Sequence, residues 1–177
     1  MPATAYIGIG SNLTSSAGSP AQAVRAAIDS LGSAGEILAQ SSLYRTAPVD
    51  YQDQPAFVNA AAAIRTNLQP EALLEALLAI EHAFGRDRAT GIPKGTRTLD
   101  LDLLLMTEED GNGLLCQSPS LTLPHPEIAC RRFVLAPLAE IAPELVHPTL
   151  HRTIGALLEE LPGEGPNSAG AIEMLAR

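Results

Sequence analysis

The residues best suited to chemistry lie in one short stretch, Arg97-Thr98-Leu99-Asp100-Leu101-Asp102. Read as a strand, residues two apart share a face. The two carboxylates then stand about 6.6 Å apart on one side, with Leu99, Leu101 and Leu103 turned to the opposite, core-facing side. Two hard oxygen ligands at that separation suit one Mg²⁺ or a pair, with water and a substrate phosphate completing the coordination. An amphipathic strand with two aspartates on its polar face has the same pattern. Against that reading, Asp is disfavoured in strands, and like charges on one face are costly unless a cation offsets them. The segment just upstream is basic, with Arg86, Arg88, Lys94 and Arg97 inside twelve residues. Guanidinium groups clamp phosphoryl oxygens bidentately. Cations for a polyphosphate, next to carboxylates for its metal, are the minimal equipment for phosphoryl transfer. A solvated charged loop has the same composition.

The whole-chain balance sharpens the contrast. The 177 residues carry 11 Lys+Arg against 20 Asp+Glu, a net charge of −9. That disfavours general nucleic-acid and anionic-membrane partners, which require a basic surface. Yet six of the eleven cations fall in two short segments, the second being Arg131-Arg132. An acidic chain that concentrates its cations in this way is equipped to hold an anion. With 46% apolar residues and a mean hydropathy of +0.11, the chain reads as a single folded domain. Cys116 and Cys130 form no CxxC or metal-ligand pattern and read as free thiols of a reducing compartment. Met1 to Ala5 has no basic region followed by an apolar run, and no apolar run approaches the roughly 20 residues that span a bilayer. The expectation is a cytoplasmic protein.

Familiar phosphate motifs are missing. There is no GxxxxGK[ST], and Gly8-Ile9-Gly10-Ser11-Asn12-Leu13 has Leu where a dinucleotide fingerprint needs its third glycine. It reads as a strand-ending turn. His147 and His151 have a spacing seen in zinc sites, but Pro148 intervenes and no partner is near in sequence, so a surface or capping role is expected. His125, between two prolines, reads alone as a structural histidine. Phe57 lies two residues before Asn59, and Phe133 adjoins the arginine pair. Ring faces beside an amide are what a planar ligand needs, and ordinary core residues look the same.

The elements that must hold these residues follow from periodicity. Ala5 to Ile9 reads as a buried strand. Ser19-Pro20-Ala21-Gln22 has the form of a capping box opening a helix to about Leu31, stopped by Gly32. Glu36 to Arg45 is strand-like, Ala47 to Pro55 is a loop, and Ala56 to Thr66 is the next strand despite its alanine run. Leu73, Leu77, Ile80 and Phe84 form the stripe of a helix over Pro70 to Phe84. Residues 86–97 form a loop and Thr98 to Leu105 a strand of period 2. Leu121 to Leu123 is a short strand, and helices are expected at about Glu127 to Ile141 and Ile154 to Leu161. The connection from Arg45 to Ala56 is too short for a crossover helix. That predicts a partly antiparallel sheet with helices packed on it, an α+β sandwich rather than a doubly wound fold.

Several segments together resemble a known family. Ser42-Leu43-Tyr44-Arg45-Thr46-Ala47-Pro48 with Gln52-Asp53-Gln54-Pro55-Ala56-Phe57-Val58-Asn59-Ala60 resembles the pterin-side signature of the 6-hydroxymethyl-7,8-dihydropterin pyrophosphokinases. Arg97 to Asp102 resembles that family's metal-binding signature. Tyr6 to Leu13, Leu123-Pro124-His125-Pro126 and Ile141 to Leu145 fit as well. The likeness covers about residues 4–161, so residues 1–161 are expected to form one pyrophosphokinase domain with 162–177 as a C-terminal appendage. The resemblance implies a ferredoxin-like α+β sandwich. It also implies transfer of the β,γ-pyrophosphoryl unit of ATP to the pterin hydroxymethyl group, releasing AMP, in folate biosynthesis.

The same resemblance assigns roles residue by residue. Asp100 and Asp102 would bind two Mg²⁺ and, with Arg86 and Arg97, form the catalytic set. Phe57 and Phe133 would stack on the two pterin faces, and Asn59 would pair with its edge, helped by Thr46 and the backbone of Val49. Glu81 would lie near an adenine-side pocket. Arg86, Arg88, Arg97, His125 and Arg131 match ATP-contacting positions. A monomer with small-molecule substrates and no nucleic-acid or membrane partner is expected. Phe57 stands where many members have tyrosine, and Lys94 precedes Gly95 where an aromatic is common. A binding module without turnover and an ordinary kinase producing ADP are the alternatives; the first has no need of a metal pair, and the nucleotide product separates the second.

Overall fold

Short antiparallel connections and two amphipathic helices produce a sheet made of two split β-α-β units. The computed structural model describes residues 1–48, 53–86, 97–162 and 172–175. The main unit comprises β1 (Ala3–Ser11), α1 (Pro20–Ser30), β2 (Glu36–Gln40), β3 (Leu43–Thr46), β4 (Phe57–Thr66), α2 (Pro70–Ala83) and β5 (Asp100–Glu108). A small hairpin, β6 (Cys116–Gln117) and β7 (Thr122–Leu123), then leads to α3 (Arg132–Ile141), α4 (Ile154–Glu160) and β8 (Glu173–Leu175). The main sheet runs β5-β1-β4-β3-β8, with β2 also paired to β4. Every neighbouring pair is antiparallel. The expected α+β sandwich is the fold observed.

Both faces of the sheet are covered. On one, Ile7, Leu101, Leu103, Ala60 and Ala62 pack with Val24 and Ile28 of α1 and Leu73 and Leu77 of α2. On the other, Ala61, Leu104 and Leu105 pack with Leu135 and Leu138 of α3 and Ile154 and Leu157 of α4. The alanine run of β4 is thus explained by packing: small side chains let helices close on both faces, and tertiary contacts override weak strand propensity. The capping box forms as expected, with Ser19 Oγ accepting from the Gln22 amide and Gln22 Oε1 accepting from the Ser19 amide at 2.9 Å.

The elements depart from the sequence expectations in the sheet and at α3. The strand expected over 36–45 is two strands, because Ser41 breaks the ladder: its Oγ accepts the Ala61 amide at 2.8 Å and donates to Ser42 O at 2.7 Å. In β5 the register shifts opposite Tyr6 and Ile7, so the period-2 alternation is lost at Leu104. Leu104 and Leu105 therefore both face α3 and α4, and Met106 returns to the opposite core. Helix α3 starts only at Arg132, since Arg131 is extended (φ −120°, ψ 106°). Within residues 162–177, β8 pairs Leu43 with Leu175 and Arg45 with Glu173 at the sheet edge.

Candidate functional site

The strand register lays out the site. Asp100 stands opposite Gly10 and Asp102 opposite Gly8. Gly10 in turn faces Asn59, which faces Tyr44. Residues directly opposite share a face, so one row crosses four strands: Asp100, Gly10, Asn59, Tyr44. The two glycines leave the sheet bare between the aspartates and Asn59. The resulting cleft has a volume of about 270 Å³. Its β5 side is walled by Asp100 and Asp102, with Arg86, Arg97, His125 and Arg131 also lining it, while its β3–β4 side presents Thr46, Phe57 and Asn59, with Phe133 from α3.

Asp100 is neutralised where it stands. Arg86 Nη1 is paired with its Oδ1, and Arg97 Nη1 lies 2.6 Å from its Oδ2. Burial alone would raise the Asp100 pKa, but the Arg97 and Arg86 charges and hydrogen bonds hold the carboxyl below its ordinary value. Asp102 has the opposite environment. Burial, with the neighbouring Asp100 and Glu81 carboxylates, pushes it up to about 7 against the opposing charges of Arg97 and Arg131. Among the described residues Asp102 makes no hydrogen bond. A pair of hard oxygen donors, one of them carrying buried negative charge that its surroundings do not offset, fits a divalent cation. Among the described residues no group of three or more His, Cys, Asp and Glu side chains is placed to hold a metal. An ion on this pair would take its remaining ligands from water and substrate.

Glu81 supports this wall from behind rather than lining it. It is 2% exposed, and its Oε1 accepts the Leu101 amide at 2.8 Å and lies 3.4 Å from Arg86 Nη1. β5 is an edge strand, so the outward amide of Leu101 needs an acceptor from outside the sheet, and α2 supplies it. Arg86 Nη1 also donates to Leu99 O at 2.9 Å. His125 is shifted down, chiefly by burial, and its Nδ1 accepts the Glu127 amide at 3.2 Å.

On the ring-bearing side, Asn59 Nδ2 donates to Thr46 Oγ1 at 2.7 Å. The Arg97 guanidinium lies 5.5 Å from the Phe57 ring centroid, and Arg131 lies 5.6 Å from that of Phe133. Of the adjacent arginines only Arg131 faces the cleft; Arg132 Nη2 donates instead to Leu161 O at 2.8 Å, beyond the end of α4. Val49 and Arg88, like Lys94, lie outside the described residues. His147 is buried, and its Nδ1 accepts the Leu150 amide at 3.3 Å, a turn cap that the sequence reading allowed.

Sequence reasoning missed three residues. Gln54 lines the cleft and Asn12 bonds to it. Glu140 of α3 accepts from the Ser42 amide (3.0 Å), Ser42 Oγ (2.9 Å) and Tyr44 Oη (2.7 Å), tying α3 to β3. The only local signal was an amide residue just after a strand, at Asn12; Glu140 gave none, because its partners are 96 and 98 residues away.

Arginines against buried carboxylates on one side, and ring faces with an amide on the other, are the equipment of a transferase that joins a phosphorylated donor to a planar acceptor. Comparison with known proteins narrows the class. The model of the 7,8-dihydro-6-hydroxymethylpterin-pyrophosphokinase family matches residues 6–143. The 2-amino-4-hydroxy-6-hydroxymethyldihydropteridine pyrophosphokinase of Pseudomonas aeruginosa is 43% identical over 162 residues, 90% of this chain and 93% of that protein. Its Haemophilus influenzae counterpart is 42% identical over 147 residues, covering 82% and 85%. The folic acid synthesis protein fol1 of Schizosaccharomyces pombe is 36% identical over 91% of this chain, which spans only 21% of that longer protein. A crystal structure of a triple mutant of Plasmodium falciparum HPPK-DHPS with pteroate shares the fold, with a TM-score of 0.67 at 15% identity over 90% of this chain and 43% of that one. The chain belongs to the 7,8-dihydro-6-hydroxymethylpterin-pyrophosphokinase family.

Proposed function

We propose that this cleft carries the family's reaction, with residues 1–161 as the catalytic unit and the roles assigned below. The reaction is transfer of a pyrophosphoryl group from ATP to hydroxymethyldihydropterin in folate biosynthesis. The observation that carries the assignment is the single row from Asp100 through Gly10 to Asn59, which puts the carboxylate pair and the amide on one open face.

In this reading Phe57 and Phe133 stack on the pterin ring and Asn59 reads its edge, its orientation fixed by Thr46; the backbone of Val49 adds a contact. Arg86, Arg88, Arg97, Arg131 and His125 hold the triphosphate, and Glu81 keeps Arg86 and the start of β5 in place beside the adenine side. Asp100 and Asp102 would hold two Mg²⁺. Bound there, the ions supply neutralisation of the triphosphate and alignment for in-line displacement. The pterin hydroxymethyl oxygen attacks the β-phosphorus, the bond from that phosphorus to the α-bridging oxygen breaks, and AMP leaves. The hydroxyl proton passes to solvent, and the arginines stabilise the charge that develops. Positioning and electrostatics account for the rate without a covalent enzyme intermediate. No helix among the described residues is long and apolar enough to cross a membrane, and the enzyme acts in the cytoplasm as a monomer on two small-molecule substrates.

The test is Asp102→Asn, which keeps shape and removes charge. Turnover should fall by roughly a thousandfold or more, the scale of losing electrostatic transition-state stabilisation, with the far-UV circular dichroism unchanged. Activity near that of the unsubstituted enzyme refutes the metal role.

A further inference from the structure

Asn12, the residue that follows β1, is 2% exposed and divides its side chain between two distant segments. Its Oδ1 accepts the Arg97 amide at 2.9 Å. Its Nδ2 donates to Gln54 Oε1 at 3.0 Å and to Pro55 O at 3.1 Å. Its own amide donates to Arg97 O at 3.1 Å, and beside it Ser11 Oγ donates to Thr98 O at 2.7 Å. The end of β1 therefore grips the backbone at Arg97 and Thr98, just ahead of the aspartate pair. The Asn12 side-chain amide carries that grip across to residues 54–55, which lead directly into Phe57.

The two segments meet again inside the cleft, where the Arg97 guanidinium lies over the Phe57 ring at 5.5 Å. A buried amide left without partners is unfavourable, so displacing either segment on its own breaks bonds that the buried Asn12 cannot replace from water. Segment 54–55 and Arg97 are thus tied to each other through one buried side chain. One bears on the ring-binding side and the other on the phosphate side.

We propose that Asn12 is a positioning residue that couples the two substrate subsites, so that filling the pterin side sets Arg97 for the triphosphate and the reverse. This rests on the pyrophosphokinase reading above. It assigns Asn12 no contact with either substrate.

The test measures binding of 6-hydroxymethylpterin and of the Mg²⁺ complex of α,β-methylene-ATP to the full chain, each alone and each with the other saturating. In the unsubstituted protein each ligand should tighten the other by the same factor, about tenfold or more, as linkage requires. In Asn12→Ala each ligand alone should bind within about threefold of that protein, while the mutual factor falls below about twofold, a loss of coupling rather than of affinity. The KM for each substrate, measured with the other saturating, should rise by the factor lost from the coupling, about fivefold or more, because the ternary complex no longer gains the mutual tightening. Asn12→Asp retains the acceptor for the Arg97 amide and loses the donors to Gln54 and Pro55. It is the second variant should the alanine form not fold, and it should lose the coupling likewise. Retention of the full mutual factor in a folded variant, or its absence from the unsubstituted protein, overturns the proposal. A failure of the pyrophosphokinase reading is separate: it shows as no pterin-dependent turnover in the unsubstituted protein.

Discussion

Gly10 and Asn59 face each other across β1 and β4, and a Cβ on Gly10 would stand 2.9 Å from Asn59 Oδ1. Glycine is needed here for space, not for an unusual backbone angle. Real Cβ atoms do not approach an oxygen that closely, so Gly10→Ala should rotate the Asn59 amide away from Thr46. With the proposed pterin-edge contact of Asn59 misaligned, KM for the pterin should rise roughly tenfold while KM for MgATP changes little. Steady-state kinetics with each substrate varied in turn checks this, and an equal rise in both constants contradicts it.

Glu81 gives a prediction about stability. Its carboxylate is buried against the Leu101 amide and Arg86, so Glu81→Ala strands a backbone donor and unbalances an arginine. Urea unfolding should show a loss of about 2–4 kcal/mol. Glu81→Gln keeps an acceptor for Leu101 and should recover part of that loss. An alanine variant as stable as the parent would show that the edge of β5 needs no acceptor from α2.

Acid sensitivity should trace in part to His147. Burial pushes its pKa below the ordinary value of 6.5, so the folded state prefers the neutral ring. Below about pH 6.5 the unfolded chain binds the proton that the folded chain refuses, and stability falls with pH until the depressed folded pKa is passed. His125 is shifted in the same direction, so the informative quantity is a difference. His147→Asn should lose less stability between pH 7 and 5 than the parent in parallel thermal melts; an identical slope contradicts the assignment.

The sheet edge makes a fourth prediction. β8 covers β3, and Leu175 packs into the core shared by α1 and α2. Deleting residues 163–177 should uncover that edge, lower Tm by several degrees and promote self-association, with kcat within about twofold because no residue assigned a role in the reaction is removed. Sedimentation and thermal melts read both effects, and an unchanged Tm argues against any bracing by β8.

What was legible in the sequence tracks how local the cause is. The aspartate pair and its leucine-bearing reverse side follow from a period of two, and α1 and α2 follow from a capping box and an apolar stripe. The antiparallel connection between β3 and β4 follows from chain length alone. Non-local causes were invisible. The bulge at Leu104 answers to the cores on both faces, and the break at Ser41 answers to Ala61, twenty residues on. Asn12 reaches partners 42, 43 and 85 residues away. The ring-binding assignment of Phe57, Asn59 and Phe133 came through family resemblance, since a phenylalanine near an amide has the composition of ordinary core.

The most direct test of the central claim is the nucleotide product. The purified chain is incubated with ATP, Mg²⁺ and 6-hydroxymethyl-7,8-dihydropterin, and the nucleotides are resolved chromatographically. Pterin-dependent formation of AMP, one for each pterin diphosphate, is the predicted result. ADP in its place, or no turnover that depends on the pterin, would contradict the account.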